Sequence, residues 1–290
     1  MAKFLVAGYG SIGKCHASVL RDLGHKVVSY DPNPNAGATT SRLPDEMQWE
    51  AGWESYDGVL LCMHPNARGW WLRHVPNTLP LFVEKPLGID AFSLSHTTRR
   101  IMVGFCWRWN LALKAFRSEF QEQRICSMGI YGGHWLPNWH DEPHTERYHG
   151  TPGLGGVIND SLSHALYIAR WFLGDLELAG ATYGHLSALD IQTEDVCAVL
   201  LRAKDTGIPC SINVDYLCRE RRHAISVITP NGGGGWECMF TESEIDGMYE
   251  RQMIRFVEVC EGERSYGYPT YMDGVAVQFL MNEVRDTGAR

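Results

Sequence analysis

The chain of 290 residues has no apolar run approaching the roughly 20 residues of a membrane span, so no membrane partner is expected. It also lacks a block of basic residues. Asp and Glu number 34 against 26 Lys and Arg, for a net charge of −8. An acidic chain with no basic patch has little to hold a phosphate backbone or an anionic surface, so nucleic acid is not an expected partner either. No cysteine pair stands as C-x-x-C. Nine cysteines are spread from Cys15 to Cys260, which reads as reduced thiols rather than a disulfide framework. No charged leader with a cleavage site precedes the first apolar run, so the expected location is the cytoplasm. Internal repeats and low-complexity tracts are absent as well.

What is present is the composition of a globular protein, 44% hydrophobic and 21% charged. A chain of this length accommodates two modest domains. Short apolar runs at 3–7, 25–30, 56–63, 79–83 and 100–105 alternate with helical or loop segments. That order predicts an open parallel sheet over the first 105 residues or so. The composition then changes. Trp107, Trp109, Trp135 and Trp139 cluster, as do His134, His140, His144 and His149. A helix is predicted from about 159 to 173. Alternating segments at 193–203, 209–217 and 223–229 predict antiparallel strands, with turns at 205–207 and 231–235. Helices at about 248–261 and 272–287 close the chain. The glycines at 232–235 do not open a helix and read as a hairpin turn rather than a phosphate loop.

Gly8-Tyr-Gly10-Ser-Ile-Gly13 follows a strand, opens a helix, and has an acidic residue, Asp31, 18 positions after Gly13 at the end of the next strand. In that context the pattern reads as a dinucleotide loop. Gly8 permits the turn, Gly10 lets the backbone approach a pyrophosphate, and Gly13 allows close helix–strand packing. The helix N-terminus offers free N–H groups to the phosphate. Asp31 accepts from both ribose hydroxyls and repels a 2′-phosphate. Pro32 stands where a phosphate site wants Arg. NAD is therefore expected ahead of NADP.

Glu84-Lys85-Pro86 ends a predicted strand on the edge where open α/β sheets bind ligands. Position alone leaves Lys85 either a site lysine with a lowered pKa or one that reaches solvent. Asp160 and His164 are four apart on a predicted helix and share a face, off its apolar side. Histidine is a natural acid–base group for a secondary alcohol, and a carboxylate can orient it. A surface ion pair, or Asp160 as a helix cap, is the alternative. The histidine cluster and Cys126 show no metal-ligand spacing, so no metal is expected. They read as a loop lining a polar pocket suited to a sugar-like ligand.

In order and spacing these motifs resemble the Gfo/Idh/MocA oxidoreductases over almost the whole chain. The resemblance is carried by Gly8 to His16, Glu84-Lys85-Pro86-Leu87, Val103 to Trp109, Gly155 to His164, Thr193-Glu-Asp195, and loosely by Gln252 to Val257. It implies an N-terminal Rossmann domain, 1–105, and a C-terminal α+β domain, 106–290, built on a large, mostly antiparallel sheet. The α/β chain would act on a sugar, amino sugar or cyclic polyol. Lys85 and His164 would contact the reacting hydroxyl, with Asp160 beside them and a cis peptide before Pro86. Cofactor positions are Gly8, Gly10, Ser11, Ile12, Gly13, Asp31, His64, Pro65, Glu84 and Lys85. Substrate positions are Trp107, Arg108, Trp139, His140 and Tyr148. The open sheet face implies a homo-dimer or homo-tetramer. Stretches 32–56 and 86–103 are short for the family, so helices there are expected to be trimmed. Cys106 and Tyr167 stand where Asn and Asp are frequent. An NAD-dependent glycosidase that oxidises its sugar transiently, and a non-catalytic NAD- or sugar-binding sensor, are the alternative readings.

Overall fold

The computed structural model describes residues 1–41, 52–88, 99–139, 150–152, 155–239, 242–262 and 267–288. The chain forms two compact units. The first is Met1–Trp109 with Ile245–Val275, and the second is Asn110–Glu244 with Ala276–Arg290.

The first unit holds a five-stranded parallel sheet. Its strands are β1 (Lys3–Ala7), β2 (Lys26–Tyr30), β3 (Gly58–Leu61), β4 (Leu81–Val83) and β5 (Ile101–Val103), in the order β2-β1-β3-β4-β5. All five apolar runs in the first 105 residues are thus strands. β3, β4 and β5 are buried at every position, and β1 at all but its first, as befits strands covered on both faces. Helix α1 (Ser11–Asp22) buries Gly13, His16, Ala17 and Leu20, and Gly24 follows it with φ +83°. Helix α2 (Gly69–His74) is a short piece. Of the connections expected to be trimmed, residues 42–51 and 89–98 lie outside the described residues. Between β2 and β3 the described parts form two single 3₁₀ turns, Pro34–Ala36 and Trp53–Ser55.

This unit also takes a helix from far along the chain. Phe256 of α5 (Glu242–Cys260) packs against Phe4 and Phe82, with ring centroids 5.9 and 5.7 Å apart. Gly58 leaves room for it, since a Cβ there would sit 3.1 Å from the Phe256 ring.

The second unit is built on six strands: β6 (Ser127–Trp135), β7 (Leu176–Gly184), β8 (Val196–Ala203), β9 (Pro209–Asp215), β10 (Leu217–Thr229) and β11 (Gly232–Met239). The order is β11-β10-β6-β9-β8-β7. Every neighbouring pair is antiparallel except β6 with β9. Alternation sets the inner face: Cys197, Val199, Leu201, Cys210, Ile212, Val214, Ile225 and Val227 are buried, while Leu200 and Ile228 are each 49% exposed. Helix α4 (Ser163–Leu173) packs on β6 and β9. Helix α3 (Leu111–Glu119) meets it through Phe116 and Phe172, and the last helix, α6, runs Tyr271–Gly288.

Two local readings of the sequence are corrected here. His134 lies in the central strand β6, not in a loop. Gly129, Gly132 and Gly133 hide that strand's alternation, and each accommodates a side chain from the neighbouring strand or turn that a Cβ would crowd. Gly232 to Gly235 are the start of β11 rather than part of the turn before it. Among the described residues no helix is long and apolar enough to cross a membrane.

Candidate functional site

In the first unit the chain order turns back between β1 and β3, and the glycine loop lies at the carboxyl end of β1. Gly8 has φ +90°, and a Cβ on it would overlap the Met63 backbone. A Cβ on Gly13 would overlap the Gly8 carbonyl oxygen, so α1 can lie this close to the loop only without one. Gly10 differs: a Cβ there meets nothing within 4 Å. Gly10 is also the N-cap of α1 and brings no side-chain cap, so the first N–H groups are not satisfied by a capping side chain. Ser11 is exposed and Ile12 half-buried in that first turn. Open space over a glycine at an uncapped helix start suits a pyrophosphate.

Asp31 ends β2. Its Oδ2 accepts from the Tyr9 amide at 2.7 Å and its Oδ1 from the Asn33 amide at 2.9 Å. Each oxygen keeps lone-pair capacity for a ribose hydroxyl. The carboxylate is thereby tied to the glycine loop. His64 starts the 3₁₀ turn Pro65–Ala67 beyond β3 and accepts from the Asn66 amide at 3.3 Å. Pro65 packs on Gly88, where a Cβ would approach to 2.7 Å.

Glu84 follows β4 and is only 6% exposed. Its Oε1 pairs with His16 Nε2 at 2.7 Å, and its Oε2 accepts from the Lys85 amide at 3.2 Å. Gly104 makes room, since a Cβ there would lie 2.8 Å from the carboxylate. Arg68 is fully buried and clamps the same turn, donating to the carbonyls of Met63 at 3.0 Å, Glu84 at 2.6 Å, and Pro86. Burial pulls its pKa down to about 10, which leaves it charged at neutral pH. Burial, and then the Glu84 charge, push the Cys62 thiol up. Lys85 is half-buried, and the Lys85–Pro86 peptide is cis, as the resemblance implied. Trp107 is buried and Arg108 half-buried in the 3₁₀ turn Cys106–Trp109.

In the second unit Asp160 and His164 are not on one uniform α-helix. Ile158–Leu162 is a π-helical turn, and α4 begins at Ser163. The wider turn changes how two residues four apart align, and such turns recur at functional sites. Asp160 is 8% exposed and His164 half-buried. Several groups pin this segment. Glu194 accepts from the Val157 amide through its carbonyl at 3.0 Å and from the Ile158 amide through Oε1 at 3.2 Å. Gly156, at φ +90°, has no room for a Cβ against the Glu194 carboxylate. Arg285 donates to Asn159 Oδ1 at 2.7 Å, and Asn159 donates to the Gly155 carbonyl at 3.1 Å. Burial raises the Glu194 pKa.

A wall of rings and cations belongs to the same unit. The His134 ring lies 3.9 Å from that of Trp139 and 4.9 Å from that of Tyr216. The Arg221 guanidinium stacks over Trp139 at 4.1 Å, and Arg219 over Trp135 at 3.5 Å. His223 keeps part of its surface, but burial pushes its pKa down to about 3, helped by Arg221 and His134 and opposed by Asp160. It is neutral at any ordinary pH. His140 and Tyr148 lie outside the described residues.

The sequence by itself assigns no role to His16, Arg68, Glu194, Arg221 or His223. Glu194 stands in the Thr193-Glu-Asp195 motif, and His16 closes the glycine motif. His16 sits three residues after Gly13, on the inner face of α1.

The comparisons agree with this architecture. Myo-inositol dehydrogenase from Corynebacterium glutamicum superposes with TM-score 0.80 at 19% identity, over 100% of this chain and 97% of that one. Scyllo-inositol dehydrogenase from Lactobacillus casei, solved with NAD(H) and scyllo-inositol, gives 0.83 at 15% identity, over 100% and 97%. The WlbA dehydrogenase from Bordetella pertussis, solved with NADH and UDP-GlcNAcA, gives 0.81 at 18% identity, over 99% and 95%. Likeness at this identity establishes the fold, a Rossmann unit with a second unit on a mostly antiparallel sheet. Residues 124–233, which include Trp139, Asp160 and His164, match the GFO/IDH/MocA C-terminal domain. The family resemblance read from the motifs is thereby met by a matching domain within a matching fold. No curated protein matches the sequence.

Proposed function

We propose that this protein is an oxidoreductase that moves a hydride between NAD and a secondary alcohol or ketone of a sugar, amino sugar or cyclic polyol. The observation that carries the reading is the first unit's loop. Gly10 is open, α1 has no side-chain cap, and Asp31 is anchored on the Tyr9 amide. These residues fit a dinucleotide: Gly8, Gly10, Ser11, Ile12 and Gly13 for its phosphates, Asp31 for its ribose, and His64, Pro65, Glu84 and Lys85 on the nicotinamide side. When bound, NAD supplies the hydride acceptor. Asp31 favours NAD over NADP through repulsion of a 2′-phosphate.

In the oxidative direction His164 takes the hydroxyl proton, Asp160 orients the imidazole, and Lys85 steadies the developing alkoxide. The reverse reaction uses the same groups. Support comes from the two sets of side chains and from the solved relatives, whose ligands include inositol and a nucleotide sugar. Trp139, His140, Tyr148, Trp107 and Arg108 are the substrate-contacting candidates, since a sugar's apolar face suits rings and its hydroxyls suit polar edges. The outward sheet face, with Leu200 and Ile228, is read as the place where a second copy covers the sheet, in a dimer or tetramer.

The test is a screen of sugars and inositols with NAD, read at the NADH absorbance band, and repeated with Lys85→Ala and His164→Ala. Both variants are expected to lose at least 100-fold in hydride transfer. Near-native transfer in both would overturn the assignment. Turnover without net NADH would favour the glycosidase.

A further inference from the structure

Glu84 is a carboxylate held away from water at the end of β4, and groups from several elements face it. Arg68 and Cys62 come from the segment after β3, His16 from α1, and Lys85 from its own turn. Behind His16 stands α5. The Tyr249 ring lies 5.5 Å from the His16 ring, and Phe82 lies 5.1 Å from His16 and 5.7 Å from Phe256. Gln252 is one helical turn from both Tyr249 and Phe256, on the same face of α5. Gln252 thus lies on the face of α5 that meets the His16 and Phe82 rings.

His16 and Gln252 are both fully buried. Among the described residues, His16 Nδ1 and both amide atoms of Gln252 have no hydrogen-bond partner. Buried polar groups are rarely left so. Their chemistry is complementary. With Nε2–H donating to Glu84, neutral His16 offers Nδ1 as an acceptor, and the Gln252 NH₂ is the matching donor. If His16 is protonated, Nδ1–H meets the Gln252 carbonyl instead.

The geometry points to a positioning chain, Gln252–His16–Glu84, that fixes the Lys85 peptide at the end of β4. The two side chains make no direct hydrogen bond, so the proposed chain includes one buried water that accepts from the Gln252 NH₂ and donates to Nδ1. His16 and Gln252 are positioning residues, acting through Glu84. The proposal rests on the reading of Lys85 as the group that holds the reacting oxygen. A shift of about 1 Å in such a group can cost about 100-fold in rate.

Two variants remove the chain with little change of volume. His16→Phe keeps a ring, and Gln252→Leu keeps the shape of the side chain. The first readout is amide hydrogen exchange at Lys85, measured on the protein without NAD. Protection is expected to fall at least tenfold in His16→Phe and to recover in part in His16→Asn, which keeps an N–H for Glu84. The second is the long-range ¹H–¹⁵N spectrum of His16. Its Nδ1 resonance is expected at a hydrogen-bonded position in the wild type and at a free position in Gln252→Leu. The third is kinetic, with the alcohol found in the screen: kcat falls about tenfold in His16→Phe while KM for NAD stays within twofold.

Unchanged Lys85 exchange in a folded His16→Phe would overturn the proposal. If that variant does not fold, an unmoved Nδ1 resonance in Gln252→Leu overturns it instead. A Lys85→Ala enzyme with near-native transfer would remove the role of Lys85 in catalysis, and the exchange and resonance readouts would still report on the chain.

Discussion

Gly10 and Gly13 belong to one motif, and replacing each by alanine should fail in opposite ways. On Gly13 the new methyl would overlap the Gly8 carbonyl oxygen and lie 3.4 Å from the Cys62 side chain. Gly8 cannot retreat, because its amide donates to Tyr30 at 2.8 Å and its free side abuts the Met63 backbone. Overpacking of this kind costs about 1–3 kcal/mol, and alanine's better helix propensity returns about 1 kcal/mol. Because the overlap is with backbone that cannot retreat, the cost lies at the top of that range, and Gly13→Ala should lose about 2 kcal/mol of stability. On Gly10 the methyl meets no protein atom, and φ −75° with ψ −163° suits alanine. Its cost to the fold is that of a poorer N-cap, under about 1 kcal/mol. The methyl would, however, occupy the space assigned to the pyrophosphate. At NAD near 100 times its Kd, the wild type should gain about 2.7 kcal/mol, or about 5–11 °C at about 2–4 °C per kcal/mol. Gly10→Ala should melt close to the wild type and gain nothing from NAD. Melting curves with and without NAD measure both effects. An NAD-induced rise in Gly10→Ala equal to the wild type's would refute the phosphate assignment, and an undiminished Gly13→Ala would refute the packing argument.

Two further outcomes follow from charge. His223 folds with its pKa pushed down to about 3, from an ordinary value near 6.5, so the unfolded chain takes up the proton first as pH falls. Its contribution is whole above about pH 6.5 and is lost progressively below it, by up to about 2 kcal/mol at pH 5 before discounting for its exposed edge. Urea denaturation at pH 7.5 and pH 5 should show a smaller drop in His223→Gln than in the wild type; equal drops would exclude this residue as the cause. Asp31 bears on cofactor choice. Asp31→Ser with Pro32→Arg should weaken NAD binding and strengthen NADP binding, each at least tenfold, by titration calorimetry, and an unchanged ratio would remove Asp31 as the discriminator.

What could be read ahead of the structure followed from adjacency. The glycine loop, Asp31 at the next strand end and the five buried runs each depend on residues near one another in the chain, and periodicity reports those directly. What could not be read depends on distant partners. Glu84 meets His16 across 68 positions, and Ile158 meets Glu194 across 36. No local pattern marks a buried carboxylate as paired. The spacing of Asp160 and His164 was legible, but the π-helical turn between them was not, because its register is set by Glu194, Asn159 and Arg285 rather than by local propensity. β6 escaped notice because glycines occupy positions where its alternation would show.

The place of α5 in the first unit has a consequence for how the protein is made. A nascent chain that has emerged as far as Trp109 already contains all five parallel strands, yet Phe256, which closes over Phe4 and Phe82, is still to be translated. The parallel sheet leaves the ribosome ahead of the second unit's strands and must wait for them to follow before one of its own faces is sealed. Its exposed apolar side is a natural client for a chaperone during that interval.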